Sequence, residues 1–173
     1  MATPQGKTKD RFETQLGVNY IAHFYLFQLL KGALPAGSQA SSEFASRVVN
    51  VTSSVHHASP VRFGDLNFEQ PGTYEPFLAY GQSKTTLMWF ANHIDRLFGS
   101  RCPPIHAWSV HPRGVLTNSQ QYIPEKLRKQ WKAPAASSPT LMSKEQGAAT
   151  TVLAAIAREW EGKGGKYLAE CRV

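Results

Sequence analysis

The chain has 173 residues, 42% of them hydrophobic and 18% charged, and a formal net charge of +7. That length supports one domain with a real core, and that composition excludes a disordered or collagen-like chain. The basic balance admits a nucleic acid or an anionic ligand, but the cations are scattered; the densest group, Lys126, Arg128, Lys129 and Lys132, reads as a solvated helix face with no nucleic-acid motif beside it.

Asp10 to Leu34 carries apolar residues at helical spacing, from Phe12 and Leu16 through Tyr20 to Phe27 and Leu30. Pro35, Gly37 and Ser38 are expected to stop that helix, and Ser41 to Ser46 reads as a polar loop. Arg47 to Ser53 is short, β-branched and flanked by polar loops, the pattern of a buried strand. It runs into Ser53-Ser54 at its C-terminal end, where open α/β sheets place their sites; Ser53 as a simple turn cap is the competing reading. Val55 to Phe77 is a long connection, of a length that is uncommon unless functional, and Phe63, Leu66 and Phe68 within it are expected to dock on the body. His56-His57 suggests a metal, but adjacent residues of a strand-like segment point apart and no third ligand is evident, so no metal site is expected.

Ala79 to Phe98 reads as a second helix with an apolar stripe at Leu87, Phe90, Ala91, Ile94 and Leu97, ended by Gly99. Pro104 to Val110 is the next buried strand, followed by the turn His111 to Thr117. Asn118 to Pro139 is polar, basic and Pro-rich, has the composition of a lid, and contains a short helix around Pro124 to Trp131 and a low-complexity tract at Ala133 to Thr140. Ser143 to Trp160 is a third helix, with Ser143 as N-cap and Gln146 completing a capping box. Lys166 to Ala169 is a last short strand. Alternating elements of these lengths imply a parallel sheet with right-handed crossovers.

Cys102 and Cys171 have neither metal nor redox spacing and read as free thiols in a reducing compartment. Met1 to Arg11 lacks the apolar core of a signal peptide, and Val18 to Leu30 is too short to span a bilayer. A soluble, cytoplasmic protein is the expectation.

The stretch that organises the rest is Tyr80-Gly-Gln-Ser-Lys84. A Tyr and a Lys at this spacing share one face of a helix. A cation held near a phenol favours the phenolate and lowers its pKa, which makes Tyr a usable acid or base near neutral pH. Alone the pair is weak evidence, since Tyr and Lys are common on solvated helix faces.

Its surroundings resemble a known family. Lys9 to Phe24, with Asn19 inside it, Arg47 to Ser54, Phe63 to Asn67, Ala79 to Lys84 and Val110 to Thr117 follow, in order, the C-terminal portion of short-chain dehydrogenases/reductases, and most of all their retinol-dehydrogenase and WW-domain-oxidoreductase-like group, especially its fungal members. The resemblance implies an α/β fold, the C-terminal portion of a Rossmann-like doubly wound parallel sheet, as a single partial domain over 1–173 with a lid at about 118–139. It implies Tyr80 as catalytic acid/base, Lys84 as the residue that tunes Tyr80 and binds the nicotinamide ribose, Ser53 as the hydrogen-bond partner of the substrate oxygen, and Asn19 as the holder of a water in a proton relay. Val115 and Thr117 match the turn that contacts the nicotinamide carboxamide. The implied activity is oxidation or reduction of an alcohol or carbonyl on a small lipophilic molecule, with secondary metabolism as one setting and NADP, or else NAD, as cofactor.

Two departures qualify this. The family's Gly-rich phosphate-binding turn and its Asn-Asn-Ala-Gly motif are absent, as are the first strands, so the Arg47 strand is expected to present an unpaired edge. Arg113 stands where the family usually has a small residue, and would either meet a phosphate or block the nicotinamide. Three roles therefore remain open: an NAD(P)-dependent oxidoreductase, a cofactor-independent acid/base enzyme such as an isomerase, dehydratase or cyclase, and a non-catalytic binding partner. A homodimer or pairing with a full-length relative would cover the open edge.

Overall fold

The computed structural model describes residues 1–115, 117–132 and 141–173. The tract at Ala133 to Thr140, the last part of the lid-like segment, and Leu116 lie outside the described residues. Three parallel strands form the sheet in the order β1 (Ser46–Val51), β2 (Ile105–His111), β3 (Lys166–Ala169). Val48 pairs with Ala107, and Trp108 with Lys166.

Strand β2 is buried along nearly its whole length, as a parallel strand covered on both faces must be. Its alternation divides the core in two. Ile105 and Ala107 face Phe90, Ala91 and Ile94 of α4 (Pro76–Phe98) and Phe27 of α2 (Ala22–Leu30). Trp108 and Val110 face the other way, onto Ala154 of α6 (Lys144–Ile156) and Leu168 of β3. Helices on both faces of a parallel sheet are the doubly wound arrangement.

The first helical stretch is not the single helix read from the sequence. It consists of α1 (Thr14–Leu16), a π-helical turn at Gly17–Ile21, and α2, in unbroken succession. Glu13, fully buried, caps it by accepting from the Gln15 and Leu16 amides at 2.9 and 2.7 Å. Pro35 does not stop a helix but starts one, α3 (Leu34–Gln39), at the position where its missing N–H costs nothing. The helix expected over Ser143–Trp160 keeps its capping box at Ser143 and Gln146 but ends at Ile156, with a separate 3-10 turn at Arg158–Trp160. In the lid-like segment, α5 spans Glu125–Lys132. Of the three docking residues expected in the long connection only Phe68 is buried; Phe63 is 75% exposed and stacks on Trp89, while Leu66 is 40% exposed.

Among the described residues β1 pairs with β2 alone. Val51 on that open strand, Tyr25, Leu26 and Leu29 of α2, and Val152 and Ile156 of α6 are all exposed apolar side chains. No helix among the described residues is long and apolar enough to cross a membrane.

Candidate active site

The C-terminal end of β1 brings Thr52 and Ser53 up to the first turns of α4. Ser53 has extended backbone and caps a 3-10 turn, Ser54–Ala58, its hydroxyl accepting from the Val55 amide. Ser53 is thus the turn cap, and it also lines the cavity with Tyr80, where its hydroxyl works to lower the pKa of the phenol. Two features press α4 against this turn. A methyl at Gly81 would lie 2.9 Å from both Ser59 Cβ and Val55 O, so the helix approaches more closely than a side chain allows. The Thr85 hydroxyl lies 2.7 Å from Ser59 O and 3.1 Å from His56 O.

Within that turn His56 and His57 do not point apart. The segment is helical rather than strand-like, and the two rings lie 3.9 Å apart by centroid. His56 also meets Tyr167 edge-on at 5.1 Å. Among the described residues no group of three or more metal-ligating side chains is assembled.

Lys84 lies one turn along α4 from Tyr80. Its ammonium donates to Val51 O at 2.9 Å and stands 5.6 Å from the Tyr80 ring centroid. Burial lowers its pKa from 10.5 to about 8. The net shift of Tyr80 runs against the sequence expectation: burial raises the phenol, and the Ser53 hydrogen bond only partly offsets that. Desolvation of the buried phenolate is the larger effect.

Asn19 sits on the π-helical turn, a distortion that recurs at functional sites. It does not reach Lys84; its amide donates to Ser83 Oγ at 2.9 Å, and Ser83 Oγ donates to Tyr80 O at 2.7 Å.

A cavity of about 740 Å³ opens over Ser53 and Tyr80. Val115 and Thr117 line it, while Lys84 and Asn19 stand outside the lining. Val115 is wedged against α6, where a Cβ on Gly147 would come within 2.3 Å of its Cγ2. Thr117 caps the next turn, with its hydroxyl accepting from the Ser119 amide and Gln120 closing the box. Arg113, also in the lining, holds φ at +64°, a left-handed conformation that suits glycine. Its guanidinium pairs with Glu170 at 3.0 Å. Burial lowers the His111 pKa, the charges of His56 and Arg113 lower it further, and Glu170 opposes them.

Sequence reasoning passed over Asn50, Thr52 and Ser83, which connect the expected residues. Asn50 and Thr52 were legible as alternate positions on the strand face that Val48 shares, and Ser83 as the Ser of the Tyr80–Lys84 stretch.

No family model matches the chain. It is 44% identical over 172 residues to the short-chain dehydrogenase/reductase prx1 of Penicillium roqueforti, covering 99% of this chain and 49% of that one. It is 34% identical over 176 residues to human polyprenol dehydrogenase, covering 97% and 49%. Among solved structures, a protein from Mycobacterium paratuberculosis superposes with a TM-score of 0.67 at 27% identity, over 98% of this chain and 50% of that one. The angucycline C-6 ketoreductase LanV, solved with NADP, gives 0.59 at 21%, over 96% and 56%. The chain spans about half the length of the curated relatives it matches, and over nearly all of its own length it belongs to the short-chain dehydrogenase/reductase family.

Proposed function

We propose that this chain carries the catalytic half of an NAD(P)-dependent oxidoreductase, acting on an alcohol or carbonyl of a small lipophilic molecule. The observation that carries the reading is that Ser53 and Tyr80 share the cavity lining, with the Lys84 ammonium 5.6 Å from the Tyr80 ring and outside that lining. The donor set suits the nicotinamide-ribose end of a dinucleotide: Lys84 spends one N–H on Val51 O and keeps two for ribose hydroxyls, and Val115 and Thr117 offer the facing wall. Among the described residues nothing matches the Gly-rich turn that would hold a pyrophosphate. When bound, the nicotinamide supplies or accepts hydride. Tyr80 gives a proton to the substrate oxygen as it gains negative charge, Ser53 orients that oxygen, and the Lys84 ammonium stabilises the phenolate left behind. Asn19 supports the site from behind through Ser83. From the described part of the lid-like segment, Ser119, Gln120 and Trp131 line the cavity. NADP is preferred to NAD, and the cytoplasm and secondary metabolism are the proposed setting.

Calorimetric titration of the chain with NADPH and NADH tests this. Binding should weaken by about tenfold or more in Lys84→Ala, equivalent to about 1.4 kcal/mol. A folded chain that binds neither at millimolar concentration would overturn the reading for this polypeptide. Turnover without nicotinamide would assign Ser53, Tyr80 and Lys84 to isomerisation, dehydration or cyclisation instead. Arg113→Gly should tighten NADPH binding several-fold, because the Arg113 side chain occupies the wall where the carboxamide would approach. Its fold should survive, since relief of a left-handed residue (about 1 kcal/mol) is opposed by the flexibility of glycine and the loss of an exposed ion pair. Weaker binding would give Arg113 to a phosphate.

The open edge of β1, with the exposed apolar rows of α2 and α6, favours a second reading in which the chain pairs with another copy or with a full-length relative. The discriminator is Tyr80→Phe, which leaves such an association intact.

A further inference from the structure

Two side chains on β1 reach across to α4 in register. Asn50 and Thr52 are alternate residues of one strand face, 6% and 2% exposed. The Asn50 amide donates to Leu87 O at 3.1 Å, and the Thr52 hydroxyl donates to Lys84 O at 2.8 Å. Strand and helix are thereby tied at two points one helical turn apart. Both acceptors lie inside α4, where the helix's own N–H groups already serve their carbonyls. The two ties are therefore not needed to satisfy the helix backbone. What they fix is the axial position and rotation of α4 along β1. Thr52 is also held from behind, its amide donating to Val110 O at 2.8 Å.

That position matters because the reacting groups are divided between the two elements. Ser53 follows Thr52 directly, and the carbonyl that receives the Lys84 ammonium belongs to Val51. Tyr80 and Lys84 travel with α4. Sliding the helix by a fraction of a turn would break the Lys84–Val51 bond and carry Tyr80 away from Ser53 in the cavity lining.

We infer that Asn50 and Thr52 are positioning residues that set the register of α4 on β1, and so place Tyr80 and Lys84 against Ser53. The inference rests on the proposed oxidoreductase reading only for the use made of that register; the register itself is open to a test without turnover.

The test is the titration of Lys84, followed by the 13Cε resonance of labelled lysine in the full chain. The titratable groups that bear on Lys84 are the Tyr80 phenol and the Met1 ammonium. In the parent chain burial brings the Lys84 pKa down to about 8, and the titration should show its midpoint there. In Thr52→Val, which keeps the shape and removes the hydroxyl, the midpoint should rise by about one pH unit or more as Lys84 leaves its site and regains water. Thr52→Ser should restore it. Asn50→Ala, which cuts the other tie, should move it in the same direction, and serves if Thr52→Val does not fold. A merely structural role would lower stability and leave the midpoint where it is. An unchanged midpoint in a folded variant overturns the inference. Failure of the oxidoreductase reading would look different: the parent chain would not bind NADPH, while Thr52→Val would still shift Lys84.

Discussion

Tyr80→Phe is expected to lower carbonyl reduction by about 10²–10⁴-fold, the range for removing a positioned general acid. The substitution is well suited to the question because it keeps the ring, and with it the packing of α4 and the 5.6 Å approach of the Lys84 ammonium. It deletes only the hydroxyl, on a ring that lines the cavity with Ser53. The assay is NADPH oxidation with a panel of lipophilic ketones, on the chain alone and with the first half of the Penicillium roqueforti relative added as a separate polypeptide. A variant within twofold of the parent would remove Tyr80 from the chemistry.

The pH profile should carry a second signature of the same arrangement. Tyr80, pushed up by burial, stays protonated well past neutrality and remains a donor. Lys84, brought down to about 8, is the first of the two to change state. Reduction should therefore fall as pH rises through about 8, when the cation that supports the phenolate is lost, and this limb should vanish in Lys84→Met. Unfolding cannot mimic it. The folded pKa of Lys84 lies below its unfolded value of 10.5, so between these two values its own contribution to stability rises with pH, and just above pH 8, before the tyrosines ionise, nothing in it lowers stability. Activity and this contribution then move in opposite directions across the same window.

Much of this arrangement was legible in the sequence, for identifiable reasons. The strand at Pro104 to Val110 and the helix from Ala79 to Phe98 show because a parallel strand buried on both faces must be apolar, and a helix over it must repeat its apolar face, whereas the strand from Arg47, also read as buried, is only half-buried at the open edge. Tyr80 and Lys84 stood out because a phenol and an ammonium one helical turn apart suit proton chemistry, and Ser53 because it ends a strand; the structure brings Ser53 and Tyr80 into one cavity lining. What escaped depended on neighbours. The π-helical turn at Asn19 is invisible to a periodicity that sees one continuous helix. Pro35 reads as a stop or a start according to where the preceding chain leaves it. The close approach of the His56 and His57 rings follows from a 3-10 turn where a strand-like segment was expected. The sign of the Tyr80 shift depends on how deeply α4 presses on the turn after β1, which Gly81 permits but no spacing rule reveals.

The largest expected loss of stability comes from a residue outside the site. Arg47 on β1 has only 5% of its side chain exposed, yet it carries a charge. Its guanidinium donates to Ala154 O at 3.0 Å, Ala157 O at 2.9 Å and Glu161 Oε2 at 2.8 Å. Two of these acceptors lie at the C-terminal end of α6, whose last carbonyls lack partners within the helix and carry the negative end of its dipole. The same group packs over the rings of Phe44 at 5.1 Å and Trp108 at 5.3 Å. One side chain therefore caps α6, covers Trp108, and holds the segment after α6 that leads into β3. Arg47→Ala removes all of this together and leaves Glu161 without its cation. The cost should be about 3–5 kcal/mol, the range for breaking a buried pair, with a fall in Tm of about 10 °C or more. Glu161→Gln should cost far less, because Glu161 is 32% exposed and the amide can still accept from Arg47 and from the Ala45 N–H. Burial pushes the Glu161 carboxyl up, but Arg47 and the Ala45 amide more than offset it, so the carboxyl lies below its usual value. Its contribution is present above the ordinary carboxylate range and is lost as pH falls through the depressed folded value. Urea unfolding at neutral pH and again near pH 3 should therefore find the gap between parent and Arg47→Ala narrowing in acid. A gap that does not change with pH would assign the whole effect of Arg47 to packing on Trp108 and to capping of α6.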